Sequence, residues 1–218
     1  MERKASAKTL GLVQLALLGA LIFILAFTPF IGYIPLGFTR ATIVHIPVII
    51  GSLLLGPKKG AVLGFLFGVT SFLNNSFVSP NATSFVFTPL YSVGDFHGNV
   101  WSLVICFVPR ILVGVVPYFV YKFFKWIFKE RKGGETVSLA LAGLSGALTN
   151  TLLVMNLIYV CFGKQYAVAQ EKAFEGFYWV ILTVIGTNGV PEAIVAAILT
   201  AAVCKALFRV TKRKATVE

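Results

Sequence analysis

The chain has 218 residues, of which 57% are hydrophobic and 12% charged, with mean hydropathy +0.87 and a formal net charge of +11. An average soluble domain carries roughly 25% charged residues, so this composition excludes a soluble protein. It does not call for a nucleic-acid partner either, because the cytoplasmic loops of a membrane protein carry the same excess of Lys and Arg.

Crossing a hydrocarbon core of about 30 Å takes about 20 apolar residues in a helix. The sequence reads as an all-α integral membrane protein, one transmembrane domain over residues 1–218. Its six spans are Thr9–Pro29, Thr42–Leu55, Gly60–Phe77, Val100–Phe124, Val137–Phe162 and Phe177–Phe208. The apolar run Leu10–Phe27 follows Arg3, Lys4 and Lys8, as in a signal peptide. It exceeds the usual apolar region of about 7–15 residues and has no small-x-small cleavage site after it, so it reads as a retained first helix. Within it, Ala16 and Ala20 lie one turn apart, a spacing that lets another helix approach closely.

The second span is short and contains Pro47, which predicts a tilted or partly irregular helix. The turn Gly56-Pro57-Lys58-Lys59-Gly60 leads straight into the third span, making a helical hairpin. Segment Val78–Asn99 is long for a connection without structure of its own, and rich in Phe, Thr, Asn and Tyr, Tyr91 among them. Loops of that length are often lids, and this one is expected to lie over a binding cavity, with an interfacial loop whose aromatics rest at headgroup level as the alternative.

All but four of the 19 Lys and Arg fall before the first span, in the Lys58-Lys59 turn, in the linker Lys122–Lys132 or between Lys205 and Lys214. The four exceptions are Arg40, Arg110, Lys164 and Lys172. The positive-inside rule then puts both termini, the turn and the linker in the cytoplasm, which an even number of spans satisfies. Segments Phe30–Arg40, Val78–Asn99 and Gly163–Gly176 face outward.

Ionisable groups inside a span are expensive, and they face a bundle interior or a water-filled cavity. Arg110 lies about 15 Å down the fourth span, and Glu192 is similarly deep in the sixth. Their opposite signs favour a structural ion pair, with contact to a polar or anionic ligand as the alternative. Asn150 and Asn156 in the fifth span and Asn188 in the sixth add amides, which between helices are often only packing glue. Asn156, Tyr159, Asn188 and Glu192 share the middle or outer halves of neighbouring spans, as a half-open outward cavity requires. His45 and the pair Asn74-Asn75 lie near the outer ends of the second and third spans. Cys106, Cys161 and Cys204 sit in apolar segments with no metal or disulfide spacing. No nucleotide-binding motif and no catalytic constellation is present, so uphill transport would draw its energy from a partner or an ion.

The order of parts resembles the substrate-binding S components of energy-coupling factor (ECF) vitamin transporters. The resemblance covers nearly the whole chain and rests on Ala16-x-x-x-Ala20, on the run from His45-Ile-Pro-Val-Ile to Gly56-Pro-Lys-Lys-Gly60, on Gly64 and Gly68 before Thr70–Asn75, and on Val108-Pro-Arg-Ile-Leu-Val-Gly114. It implies a non-enzymatic subunit in the plasma membrane of a prokaryote. Such a subunit captures a vitamin outside, then docks through Ala16 and Ala20 on a transmembrane coupling protein with two cytoplasmic ATPases, which use the ATP. It binds no cofactor or metal of its own. The His45 run and Pro109-Arg110 are most similar to the pantothenate type, with Arg110, Asn156, Tyr159, Asn188, Glu192, His45, Asn75 and Tyr91 as the ligand-binding set. Another vitamin (riboflavin, a pyridoxine-related compound or cobalamin) by the same mechanism, or a stand-alone proton-coupled transporter, are the competing readings.

Overall fold

The computed structural model describes residues 7–28, 32–36, 39–129, 131–169 and 176–211. It is a helical bundle: α1 (Ala7–Phe27), α2 (His45–Leu55), α3 (Pro57–Leu73), α4 (Val100–Val113), α5 (Val116–Ile127), α6 (Gly134–Ala169), α7 (Phe177–Val184) and α8 (Val190–Thr211). Among the described residues, five stretches are long and apolar enough to cross a membrane, with α4–α5 and α7–α8 each forming one of them, and α2 is a shorter apolar helix beside them. The protein is a multi-pass membrane protein.

Two antiparallel hairpins interrupt the helices, β1 (Tyr33–Leu36) with β2 (Thr39–Thr42), and β3 (Ser92–Val93) with β4 (Phe96–His97). The second span therefore starts later than the sequence suggested, because Thr42 is paired with Tyr33 in the first hairpin. The expected irregularity of this helix is absent. Pro47 is its third residue, in the first turn, where no intrahelical hydrogen bond is available to be lost. Pro57 likewise opens α3, after Gly56 at φ +86°, a left-handed conformation that suits glycine.

The fourth span breaks into two helices at Gly114-Val115. Two other departures from the α-helix are single π-helical turns, Asn74–Val78 at the end of α3 and Ile185–Gly189 between α7 and α8. The second lies just before Pro191. A proline ring clashes with the carbonyl four residues back, here Thr187, and the widened turn contains that residue.

Backbones approach closely where glycines face one another. A Cβ on Gly60 would lie 2.0 Å from the Gly114 carbonyl oxygen, and one on Gly64 2.3 Å from that of Arg110. These contacts press α3 against α4 and fix the height at which Arg110 leaves its helix. One apolar core joins α1, α2, α3, α6 and α8 around Ile22, Ile49, Leu53, Leu63, Phe67, Leu139 and Ala196. A second core, around Phe85, Ile105, Ile158, Phe162 and Ile181, seats the long segment between α3 and α4.

Gly64→Val should therefore push the α3 and α4 backbones apart and lower stability by about 1–3 kcal/mol, as over-packing does. Gly186→Ala, where a Cβ would meet nothing within 4 Å, should be neutral in the same thermal-melt assay. Equal melting temperatures for the two variants would contradict this reading of the contact.

Candidate functional site

A cavity of about 130 Å³ opens among α3, α4, α6, the α7–α8 junction and the long segment, with room for more than one water-sized group. Each wall has an identifiable local cause.

Arg110 enters it from α4. Pro109 has no N–H, so the carbonyl of Ile105 is left without its helical partner. Arg110 Nη1 donates to that carbonyl at 2.7 Å, which curls the guanidinium back along its own helix. Nη2 reaches Ser71 Oγ at 3.4 Å, and the charge lies over the rings of Phe87 (5.1 Å) and Phe67 (5.7 Å). Contacts of this kind offset part of the cost of burying a guanidinium. Its Nε has no hydrogen-bond partner.

Glu192 enters from the first turn of α8. One carboxylate oxygen accepts the backbone N–H of Thr42 at 2.6 Å, tying the end of the first hairpin to the bundle. The other accepts the Thr151 hydroxyl at 3.5 Å. The ion pair expected between Arg110 and Glu192 is not formed. Both are buried and line the same cavity, but each is held by neutral groups, and neither has an oppositely charged partner within 4 Å among the described residues. The reason is directional: the carbonyl freed by Pro109 draws the arginine fork one way, while the hairpin and α6 hold the carboxylate another.

The facing wall is a stripe of α6: Asn150, Thr151, Val154, Met155 and Ile158. These recur at helical spacing and fall on one face. Asn188 comes from the π turn before α8, one turn ahead of Glu192.

The fourth wall is the long segment, through Asn81, Thr83 and Phe87. It is ordered rather than an open loop. Asn75, in the π turn after α3, accepts from Ser84 Oγ at 2.9 Å and donates to the Ser71 carbonyl at 2.8 Å. Ser76 donates to the Thr88 hydroxyl at 2.7 Å, and Ser102 donates to the Phe85 carbonyl at 2.7 Å. Phe85 is fully buried against Phe96 and edge-on to Phe162. The segment ends at Asn99, whose side chain caps α4 by accepting the Trp101 N–H at 2.8 Å. It thus roofs the cavity through four side-chain ties and one aromatic cluster.

Of the eight expected ligand-binding residues, Arg110, Asn188, Glu192 and Asn75 line the cavity. Asn156 and Tyr159 do not. At about 100° per residue, Asn156 sits about 200° round α6 from Val154 and is half-buried, donating to the Leu152 carbonyl and accepting from Tyr178. Tyr159 packs edge-on against Tyr178. His45 is buried in the first turn of α2 within the apolar core, and half-buried Tyr91 lies ahead of β3; neither borders the cavity. Sequence reasoning missed Thr42, Thr151 and Phe87, and took Asn150 for packing. The signal for the α6 pair was present in the 150-151-154-155-158 spacing, whereas Thr42 and Phe87 arrive from loops that carry no periodicity. Ala16 and Ala20 line none of these walls and are exposed on α1.

Comparison with known proteins gives a consistent picture. A family model described as ECF transporter, substrate-specific component, matches residues 11–204. The pantothenic acid transporter PanT of Lactococcus lactis subsp. cremoris is 40% identical over 171 residues, 78% of this chain and 79% of that protein. The pantothenate transporter PanT of Leuconostoc mesenteroides is 27% identical over 215 residues, 94% of this chain and 96% of that protein.

Proposed function

The chain belongs to the substrate-specific components of ECF transporters, and we propose that it captures pantothenate outside the cell and delivers it to a transmembrane coupling protein driven by two cytoplasmic ATPases. The observation that carries the substrate is the cavity's pair of unmatched charges. A buried arginine with no carboxylate partner is costly unless something anionic completes it. Pantothenate is a mono-acid: its carboxylate complements Arg110, its two hydroxyls can donate to Glu192, and its geminal methyl groups suit the wall of Val154, Met155 and Ile158. Asn75 and Asn188 supply further amide contacts.

In this reading the chain crosses the membrane six times with both termini cytoplasmic. The charge distribution supports it, and so do the contacts that bring basic segments together in pairs: the Lys59 ammonium lies beside Gly11, and Lys205 donates to Thr136 at 2.8 Å. The cavity and its roof then face outward. Ala16 and Ala20 lie among Leu12, Val13, Leu17, Leu21 and Ile24 on the free face of α1, which supports helix docking there.

A topology reporter placed after Lys132 should read cytoplasmic and one near Lys164 external; the opposite at either site would overturn the six-span arrangement. Calorimetry on the purified chain should find pantothenate bound more tightly than panthenol, which has an alcohol in place of the carboxylate. The loss of a charge-assisted contact of about 1.5–3 kcal/mol predicts a roughly 10- to 150-fold preference. Arg110→Met should erase that preference, and Ala16→Leu should keep it while abolishing uptake in cells with the ATPase module. Equal affinity of the wild-type chain for the acid and the alcohol would refute the assignment of Arg110.

A further inference from the structure

The amides around the cavity are not equivalent. Asn75 is tied through both ends of its amide, to Ser71 and Ser84, Asn74 donates to the Ala26 carbonyl, and Asn188 accepts from Thr187. Asn81 accepts from the Thr83 backbone and hydroxyl. Asn150 differs: it is 7% exposed, lines the cavity, and its carbonyl oxygen is buried with no hydrogen-bond partner. No contact to another described residue holds its amide nitrogen. A packing amide between helices has a partner across the interface; this one does not. A buried carbonyl left unmet costs about 1–3 kcal/mol, and that cost is relieved when the amide turns to meet a donor in the cavity.

The sense of the unmet groups is opposite at two places. Arg110 Nε is a buried donor without an acceptor, and Asn150 Oδ1 is a buried acceptor without a donor. The neighbour of Asn150 in the chain, Thr151, donates to Glu192, and all three residues line the one cavity. A second carboxylate is repelled there by Glu192, whereas a hydroxyl is welcome because it donates a proton and accepts from the free amide N–H.

Resting on the reading of the cavity as a pantothenate site, we propose that Asn150 is a specificity-determining residue that reads a hydroxyl of the ligand, and so fixes which way round the molecule lies. The acid goes to Arg110, and the hydroxyl-bearing half goes to Asn150 and Glu192. Untied, the Asn150 amide can turn about its last torsion to present oxygen or nitrogen to that hydroxyl. The site thereby rejects acids of similar size that lack the hydroxyl, since their binding leaves Asn150 unmet.

The test is a set of dissociation constants for pantothenate, its two mono-deoxy analogues and panthenol, measured by calorimetry on the full chain in detergent. The wild type should prefer pantothenate over at least one deoxy analogue by roughly 10- to 100-fold, the effect of one buried hydrogen bond. Asn150→Ala should reduce that ratio to within about threefold while keeping the preference for pantothenate over panthenol, which Arg110 sets. If Asn150→Ala does not fold, Asn150→Leu, of similar size and without polar side-chain atoms, gives the same ratios. Unchanged hydroxyl discrimination in the variant that folds, or none in the wild type, overturns the role of Asn150 alone. Failure of the wild-type chain to bind pantothenate at all overturns the functional reading, and this proposal with it.

Discussion

Two opposite charges buried in one cavity, each held away from the other by neutral partners, are the constraint around which the cavity-forming part of this bundle is arranged. An ion pair would have been the cheap solution in a low-dielectric setting. Instead Arg110 is satisfied by the Ile105 carbonyl, Ser71 and two phenylalanine rings, and Glu192 by the Thr42 backbone and the Thr151 hydroxyl. Both groups keep bonding capacity in reserve: the Arg110 Nε–H is among the guanidinium donors left unmatched, and a carboxylate can accept at about four lone-pair positions. A cavity kept polarised in this way is suited to a small molecule with an acid at one place and hydroxyl groups at another.

The geometry that keeps the charges apart comes from breaks in helical regularity. Pro109 frees the carbonyl that turns Arg110, and the π turn before Pro191 offsets α8 from α7. The π turn at Asn74–Val78 brings Asn75 to the cavity and to Ser84. In a membrane such breaks are tolerated where protein covers them or where they line a cavity, and each of these borders this one. Glu192 has a further consequence: through Thr42 it fastens the first hairpin, so the charge on one side of the cavity also positions part of its rim.

Much of the helical frame was legible from composition and span length, because an apolar run of about 20 residues has few alternatives. The depth of Arg110 and Glu192 could be counted along their helices, and the expense of burying them pointed to the cavity that both line. Their relation to each other could not be read, because it depends on which neutral group each one meets first, and the carbonyl freed by Pro109 has no signature of its own. The face of α6 that borders the cavity was not legible for a similar reason. Asn156 and Tyr159 are polar and stand out in an apolar helix, but rotation places them beside Tyr178, and the cavity takes the less conspicuous Asn150 and Thr151. The segment before α4 was recognisable as a cover by its length and aromatic content, whereas its ties through Ser84, Thr88 and Phe85 join residues from three separate stretches.

The central claim is that the cavity holds pantothenate through Arg110. Native mass spectrometry tests it most directly, on the chain purified from cells supplied together with pantothenate, riboflavin, pyridoxine and cobalamin. The account predicts a single adduct with the mass of pantothenate on the wild-type chain, and none on a folded Arg110→Met variant. An adduct of another vitamin, or a pantothenate adduct that survives in Arg110→Met, would contradict it.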